Sequence, residues 1–266
     1  MSVQPGMLGR SWAVLGEDAP EQPCLVCFHF AGGSAQSFLP WRKHVVGRYN
    51  LLAAELPGRG RRYGEAFASS VDEAAAQFAE EALHLPRNPL IFVGHSLGAL
   101  LAYETAYAMR ERGGRQPIGL VAAGRQSPDV DQHGRNLPDA SMSAIRKYLQ
   151  ELSGTPESIL RDDAYMTMMR PILQADFDLL RSYRFRPRTP LQIPVHVVGA
   201  IHDHAVKFES LLGWSRLSVG EVSLSLIDGG HFAPIEQPAS ILDKADRIAG
   251  GVASTSIGEQ FAPACA

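Results

Sequence analysis

The chain has 266 residues, of which 45% are hydrophobic and 20% charged, with 25 Lys and Arg against 28 Asp and Glu. Its formal net charge of −3 lacks the positive excess that binds nucleic acid, and no stretch approaches the ~20 apolar residues that span a bilayer. We therefore expect a soluble, cytoplasmic globular protein that binds neither nucleic acid nor membrane. Without an exposed heptad or a long apolar stripe, we also expect a monomer.

Short apolar runs recur along the chain, and most are nearly unbroken, as the buried strands of a parallel sheet are. They predict strands over residues 25–30, 51–55, 90–93, 119–123, 195–199 and 222–227. Cys24 and Cys27 share the first run, where side chains three residues apart point to opposite faces, so we expect buried free thiols and no disulfide.

Helical patterns separate these strands. A stripe of apolar residues at helical spacing follows a capping box of Ser70 and Glu73. Another helix follows residue 97 and stops at Gly113. Pro238 opens a last helix that ends near Gly250. This alternation predicts the α/β class, a mostly parallel sheet with helices on both faces.

One long segment, residues 125–188, interrupts this alternation. In it Ser141 and Gly154 bracket one helix, Pro156 begins a second, and Pro171 begins a third. We interpret the segment as a helical lid over an active site, with a helical addition that has its own core as the alternative. The predicted organisation is an α/β core of residues 1–124 and 189–250, a lid insertion of residues 125–188 and a disordered tail of residues 251–266.

A GxSxG motif at residues 94–98, Gly-His-Ser-Leu-Gly, lies between the strand predicted at 90–93 and the helix after it. In that setting the serine lies on a strained turn that exposes its hydroxyl, and the glycines let the backbone pack closely. The motif therefore predicts Ser96 as a nucleophile.

A serine nucleophile needs a base and an acid that orients the base. His231 follows the last predicted strand and Asp203 follows the one before it, at carboxyl ends of strands, where α/β sheets place their sites. Asp129 and Asp228 remain alternative acids. A metal site at residues 202–204 is disfavoured because adjacent side chains point apart, so we expect no metal and no other cofactor.

An oxyanion formed at Ser96 needs preorganised donors, normally the amide after the nucleophile and one from a loop after an early strand. The candidates are the amide of Leu97 and an amide within residues 30–33, Phe-Ala-Gly-Gly. The glycine pair allows the close approach that such a loop needs, and a simple tight turn is the alternative.

With these motifs in place, the sequence resembles the type II thioesterases, free-standing α/β hydrolases that accompany modular polyketide and nonribosomal peptide synthases. The resemblance runs from about Cys24 to Ala249 and rests on motifs at residues 31–34, 56–62, 94–99, 124–128, 173–177 and 229–232. It implies Ser96 as nucleophile, His231 as base, Asp203 as acid, and the amides of Ala31 and Leu97 as the oxyanion hole. Two departures are His29, where the family usually has Pro, and Leu97, where Met is commoner.

The resemblance also implies a lid and a substrate. The substrate is an acyl group on the phosphopantetheine arm of an acyl or peptidyl carrier protein, and its hydrolysis clears stalled or wrongly primed chains. A small-molecule carboxylesterase, a lipase or an acyltransferase with the same triad remain the alternatives. The candidate acyl contacts are Phe30, Met166, Met169 and Phe177, with plain core packing as the alternative for the methionines.

Three arginines, Arg59, Arg61 and Arg62, follow the second predicted strand. They are candidates to contact the acidic surface of a carrier protein or the phosphate of its arm. A solvated charged loop is the alternative interpretation.

Overall fold

The computed structural model of the protein describes residues 9–16, 19–130, 137–139 and 141–260, with side chains up to residue 251. The remaining parts of the predicted core, insertion and tail lie outside the described residues. No helix in the described ranges has both the length and the apolar character needed to cross a bilayer.

A seven-stranded sheet forms the centre of the fold, in the order β1-β3-β2-β4-β5-β6-β7. Its strands are β1 (Trp12–Val14), β2 (Cys24–Phe28), β3 (Asn50–Ala54), β4 (Leu90–His95), β5 (Gly119–Ala123), β6 (Val195–Ala200) and β7 (Val222–Ile227). Only β1 is antiparallel to its neighbour. The predicted class is confirmed, and the six predicted strands are all present. The sequence pattern misses β1 because three residues are too few to show a period.

Nine α-helices are described, and short 3₁₀ turns join some of them to the sheet. They are α1 (Arg42–Val45), α2 (Val71–Glu81), α3 (Leu97–Glu111), α4 (Met142–Glu151), α5 (Glu157–Leu160), α6 (Asp163–Ser182), α7 (Phe208–Leu211), α8 (Ala233–Glu236) and α9 (Pro238–Gln260). The hydroxyl oxygens of Ser70 and Ser141 cap α2 and α4 by accepting from backbone amides in their first turns. The predicted capping box is half formed, because the Glu73 carboxylate accepts from the Ser69 amide and not from that of Ser70.

Two predicted helix boundaries are wrong. Helix α6 begins at Asp163, capped by the Asp162 side chain, and Pro171 lies inside it. A proline inside a helix costs about 3 kcal/mol, which burial of Met166 before it and of Leu173 after it offsets. Helix α9 continues through Gly250 to Gln260, because a glycine weakens a helix by only about 1 kcal/mol. The predicted disordered tail is thus helical to Gln260, and residues 261–266 lie outside the described residues.

Each face of the sheet has its own buried cluster. On β2, Cys24, Val26 and Phe28 pack with α2 and α3, whereas Leu25 and Cys27 pack with residues of α9 on the other face. Cys24 and Cys27 are buried thiols on opposite faces of the sheet and are not joined by a disulfide, as the strand spacing predicts. The alternation along β2 therefore holds helices on both sides of the sheet.

The helices between β5 and β6 share the core of one sheet face. Their buried residues, among them Ile145 and Leu173, belong to the same cluster as α3. The structure therefore does not show the separate core of the alternative interpretation. The end of this segment is tied to α3, because the buried Glu104 carboxylate accepts from Arg188 Nη2 at 2.8 and 2.6 Å and from the Tyr183 hydroxyl at 2.7 Å.

Candidate active site

The turn between β4 and α3 holds Ser96 in a backbone conformation that few non-glycine residues adopt, with φ 55° and ψ −115°. A Cβ atom on Gly94 would overlap the carbonyl of Gly98, and one on Gly98 would overlap the carbonyl of Phe28. Glycine is therefore required at both positions, for the close packing that the sequence motif predicts.

The loops after β6 and β7 bring an imidazole and a carboxylate together. The loops are joined by a hydrogen bond from the His202 amide to the Gly229 carbonyl, at 3.0 Å. Asp203 Oδ2 lies 2.8 Å from His231 Nδ1, and Asp203 Oδ1 accepts from the Ala205 amide at 2.8 Å. Because the carboxylate only accepts, Nδ1 carries the proton and Nε2 is left as the basic nitrogen.

The two alternative acids have other partners. Asp129 Oδ2 accepts from Arg216 Nε at 2.7 Å. The exposed Asp228 lies 3.3 Å from His202 Nε2. Of the three carboxylates that the sequence left open, the structure thus places Asp203 against His231.

The metal alternative at residues 202–204 does not match the geometry. His202 turns toward Asp228, while Asp203 turns toward His231. Across the described ranges, no three His, Cys, Asp or Glu side chains are grouped as a metal ion would require. That the protein needs no cofactor stays a prediction.

A group of rings surrounds His231. The His95 ring centroid lies 4.9 Å from that of His231, and the Phe232 ring lies 5.4 Å from His231 and 4.9 Å from Phe30. Burial, followed by the charge of His231, lowers the pKa of His95 well below its ordinary value, so His95 is neutral. Sequence reasoning treated His95 and Phe232 only as motif members, because nothing local shows that both rings face His231.

Residues 30–33, which we call the oxyanion loop, follow β2. The Gly33 amide donates to the Phe30 carbonyl at 2.9 Å, and the Gly32 amide donates to Asp176 Oδ2 at 2.7 Å. Because those two amides are engaged, the geometry favours Ala31 over both glycines as an oxyanion donor. The second candidate, Leu97, is the first residue of α3, where an amide has no acceptor within the helix.

The four candidate acyl contacts fall into two groups. Met166 and Phe177 are buried in the core cluster, and the Phe177 ring packs edge-on against Tyr148 at 5.4 Å. Phe30 and Met169 keep part of their surface exposed. The packing of Met166 is what the core alternative for the methionines describes, and substrate contact stays a prediction for all four residues.

The prediction that Arg59 and Arg62 face a carrier protein is wrong, and so is the solvated alternative. Both are buried: Arg59 pairs with Asp176 inside the protein, and Arg62 donates to the Glu55 carbonyl at 3.1 Å. Arg62 pairs with Glu65 at 2.7 Å. Of the three arginines only Arg61 is exposed. Sequence reasoning missed this use of Asp176, whose one signal was the motif at residues 173–177.

The buried His29 makes stability depend on pH. Burial, followed by the charge of Arg59, lowers the pKa of His29 to about 4. Between pH 6.5 and 4 the unfolded chain therefore binds a proton that the folded chain does not. Stability is complete above pH 6.5 and falls as the pH drops toward 4, with about 2 to 3 kcal/mol lost through His29.

The test is the free energy of unfolding by urea at pH 7.5 and 4.5, for wild type and for His29→Asn. Asparagine does not titrate and places an amide nitrogen near the position of Nδ1, which donates to the Phe30 carbonyl at 2.9 Å. We expect the acid loss to be smaller in the variant, although His95 still contributes. An equal loss in both proteins would exclude His29 as a source.

This chain is similar to known proteins over most of its length. The thioesterase domain family matches residues 23–249. The gramicidin S biosynthesis protein GrsT of Aneurinibacillus migulanus is 31% identical over 222 residues, which cover 82% of this chain and 86% of that protein. Thioesterase PikA5 of Streptomyces venezuelae is 34% identical over 212 residues, which cover 78% and 74%.

Solved structures agree with the fold. The type II thioesterase BorB from the borrelidin biosynthetic cluster superposes with a TM-score of 0.81 at 28% identity, covering 90% of this chain and 97% of that one. YbtT, a type II thioesterase from the yersiniabactin biosynthetic pathway, superposes with a TM-score of 0.78 at 26% identity, covering 89% of this chain and 97% of that one. The predicted α/β-hydrolase fold is confirmed.

Proposed function

Because the chain belongs to the thioesterase family, we propose that it is the editing hydrolase of a modular polyketide or nonribosomal peptide synthase. It releases acyl groups from the phosphopantetheine arm of carrier proteins and so frees stalled or wrongly primed arms. The observation that carries this proposal is the His231–Asp203 pair, at 2.8 Å, whose imidazole lies 4.9 Å from the ring of His95, the residue before the strained Ser96. The matches to proteins of gramicidin S, borrelidin and yersiniabactin biosynthesis support the substrate class.

In acylation, the Ser96 oxygen attacks the thioester carbonyl and its proton passes to His231 Nε2. Asp203 holds the imidazole in the required tautomer and stabilises the imidazolium. The oxyanion accepts from the amides of Ala31 and Leu97. The carbon–sulfur bond then breaks, and the His231 imidazolium gives its proton to the departing sulfur, so the arm leaves as a thiol and His231 is neutral again. Because a thiol has a pKa of about 8.5, its thiolate departs more readily than an alkoxide.

In deacylation, a water molecule gives a proton to the neutral His231 and attacks the acyl carbon. The same two amides hold the second oxyanion. Collapse returns the proton to the Ser96 oxygen and releases a free acid. The carrier arm leaves as a thiol after the first half of the reaction and is free for reloading.

We also propose that the helices between β5 and β6, within residues 125–188, are the lid. Two contacts support this role. A Cβ atom on Gly154, between α4 and α5, would overlap the ring of Phe232, so this backbone lies directly against the residue after His231. Leu173 of α6 touches Gly32 of the oxyanion loop. Acyl contact by Phe30, Met166, Met169 and Phe177, and the monomeric state, remain predictions.

Activity on a carrier protein is the test that separates editing from general ester hydrolysis. We expect kcat/KM for propionyl on a phosphopantetheinylated carrier to exceed that for propionyl on pantetheine by at least about tenfold, since a second contact surface adds at least about 1.4 kcal/mol. Measuring free-thiol release on both substrates gives the ratio. Equal values would favour a small-molecule esterase or lipase.

Product identity separates hydrolysis from acyl transfer. With a small alcohol or amine present, a hydrolase still yields propionic acid from acyl-Ser96, whereas an acyltransferase yields the ester or amide. Chromatography of the products against standards distinguishes them. Predominant ester or amide would contradict the proposed function while leaving Ser96 as nucleophile.

A further inference from the structure

We infer that Asp176 and Arg59 are positioning residues for the oxyanion hole: the buried pair fixes the oxyanion loop so that the Ala31 amide meets the developing charge. The inference rests on the proposed function, because it assumes acyl chemistry at Ser96. Neither residue touches the reacting atoms in this account. Each acts through the backbone of residues 30–33.

The pair forms hydrogen bonds with two consecutive residues of the loop. Arg59 Nη1 and Nη2 donate to the two Asp176 oxygens, each at 2.6 Å. Asp176 Oδ2 also accepts from the Gly32 amide at 2.7 Å, and Arg59 Nη1 donates to the Gly33 carbonyl at 3.3 Å. The side chain of Asp176 is 0% exposed and that of Arg59 is 4% exposed, so water does not weaken these bonds.

Helix α6 also contacts the loop through an apolar side chain. Leu173 lies three residues before Asp176, on the same helix face. Gly32 has φ +78°, and a Cβ atom there would lie 2.5 Å from Leu173 Cδ2. The loop therefore meets α6 through one charged hydrogen bond and one close contact, both at Gly32.

Hydrogen bonds hold two successive peptide units of the loop. The unit that carries the Ala31 amide also carries the Phe30 carbonyl, which accepts from the Gly33 amide and from His29 Nδ1, each at 2.9 Å. Because a trans peptide is planar, holding that carbonyl directs the Ala31 N–H the opposite way. Asp176 fixes the next unit through Gly32, so the backbone on both sides of Ala31 is held.

Energetics favour a positioning role over a stabilising one. A buried ion pair loses hydration on both partners, and its net gain in stability is often small. The pair instead orients the loop backbone. Arg59 holds both Asp176 oxygens, and Asp176 Oδ2 also holds the Gly32 amide, so the loop has little conformational freedom. An oxyanion hole depends on donors held within a fraction of an ångström.

The matched control is Glu104 of α3, whose buried carboxylate accepts from Arg188 and from the Tyr183 hydroxyl in place of the oxyanion loop. Asp176→Asn and Glu104→Gln each remove the charge of a buried carboxylate. Arg59→Lys keeps the charge and loses the fork, and it carries the test if Asp176→Asn does not fold. Each variant is assayed below its own melting temperature.

On propionyl-pantetheine, we expect Asp176→Asn to lower kcat by about 10- to 100-fold with KM within about threefold, because only the transition state uses the hole. The kcat of Arg59→Lys is expected to lie between that of Asp176→Asn and that of wild type. Glu104→Gln lowers the melting temperature while kcat stays within about twofold. The Ki of an alkyl boronic acid, which bonds to Ser96 as a tetrahedral adduct, rises with the loss of kcat in the first two variants only.

Three results would overturn the inference. These are a kcat in Asp176→Asn and Arg59→Lys equal to that of Glu104→Gln, a loss that appears only in KM, or an unchanged boronic acid Ki. Because the substrate carries no carrier protein, failure of the carrier preference would leave this test intact. Unchanged activity in Ser96→Ala would instead remove the proposed function itself.

Discussion

Replacement of Ser96 by Ala is expected to lower kcat on an acyl carrier by about 10⁴- to 10⁶-fold, the largest effect of any single change considered. The variant lacks the oxygen that attacks the thioester, while the fold, the oxyanion loop and the His231–Asp203 pair stay in place. What remains is the modest rate that binding and the oxyanion donors give to attack by water. The measurement is single-turnover release of free carrier thiol.

Folding of the variant is checked by its melting temperature. Alanine at φ 55° carries the same backbone strain as serine, so we expect a change of only a few degrees. A folded Ser96→Ala protein that hydrolyses the acyl carrier at near wild-type rate would contradict the mechanism. It would require a nucleophile elsewhere, or direct attack by water as the main route.

Replacement of Asp203 by Asn is expected to lower kcat by about 10³- to 10⁴-fold, with the fold intact. The introduced asparagine can present its NH₂ group to His231 Nδ1, which then becomes the acceptor. The proton moves to Nε2, the nitrogen that must be free to take the Ser96 proton. Steady-state hydrolysis of propionyl-pantetheine over a pH range gives the size of the loss.

The chain supplies two controls for this change, because the sequence alone offers three acids. Asp228→Asn alters an exposed carboxylate that pairs with His202, and Asp129→Asn alters one that pairs with Arg216. Both are expected to keep kcat within about threefold, because these two carboxylates pair with Arg216 and His202 and the one that faces His231 Nδ1 is left unchanged. A loss in Asp129→Asn as large as in Asp203→Asn would show that the acid is wrongly assigned.

The nucleophile turn was predictable because its whole signal lies in one short stretch. The apolar run of β4 sets the strand, the two glycines permit the turn, and the next residues begin α3. Asp203 and His231 were predictable for a related reason, since each follows an apolar run that ends at the same edge of the sheet. Their contact needs no long-range pattern beyond parallel strand order.

The Arg59–Asp176 pair that holds the oxyanion loop was not predictable in the same way. Arg59 stands in a loop and Asp176 in a helix, 117 positions apart, and both residue types are usually solvated. Only the packing of α6 against the loop after β2 buries the two together. The motif at residues 173–177 marked the place without showing which side chain turns inward.

The ends of two helices were also wrongly predicted from the sequence. Pro171 and Gly250 are residues that typically begin or stop helices, yet α6 and α9 pass through them. At Pro171 the reason is tertiary, because apolar residues on both sides of the proline enter one core. There the free energy gained by burying apolar side chains exceeds the cost of a residue with low helix propensity, so the helix continues.

We propose that the protein frees a carrier arm by hydrolysis at Ser96. The most direct test of this claim is the intact mass of a propionyl-loaded carrier protein, followed in time with an excess of wild type or of Ser96→Ala. We expect wild type to convert the loaded carrier into the free-thiol form with release of propionic acid, and Ser96→Ala to leave it loaded. A carrier that stays acylated with wild type, under conditions in which propionyl-pantetheine is hydrolysed, would contradict the claim.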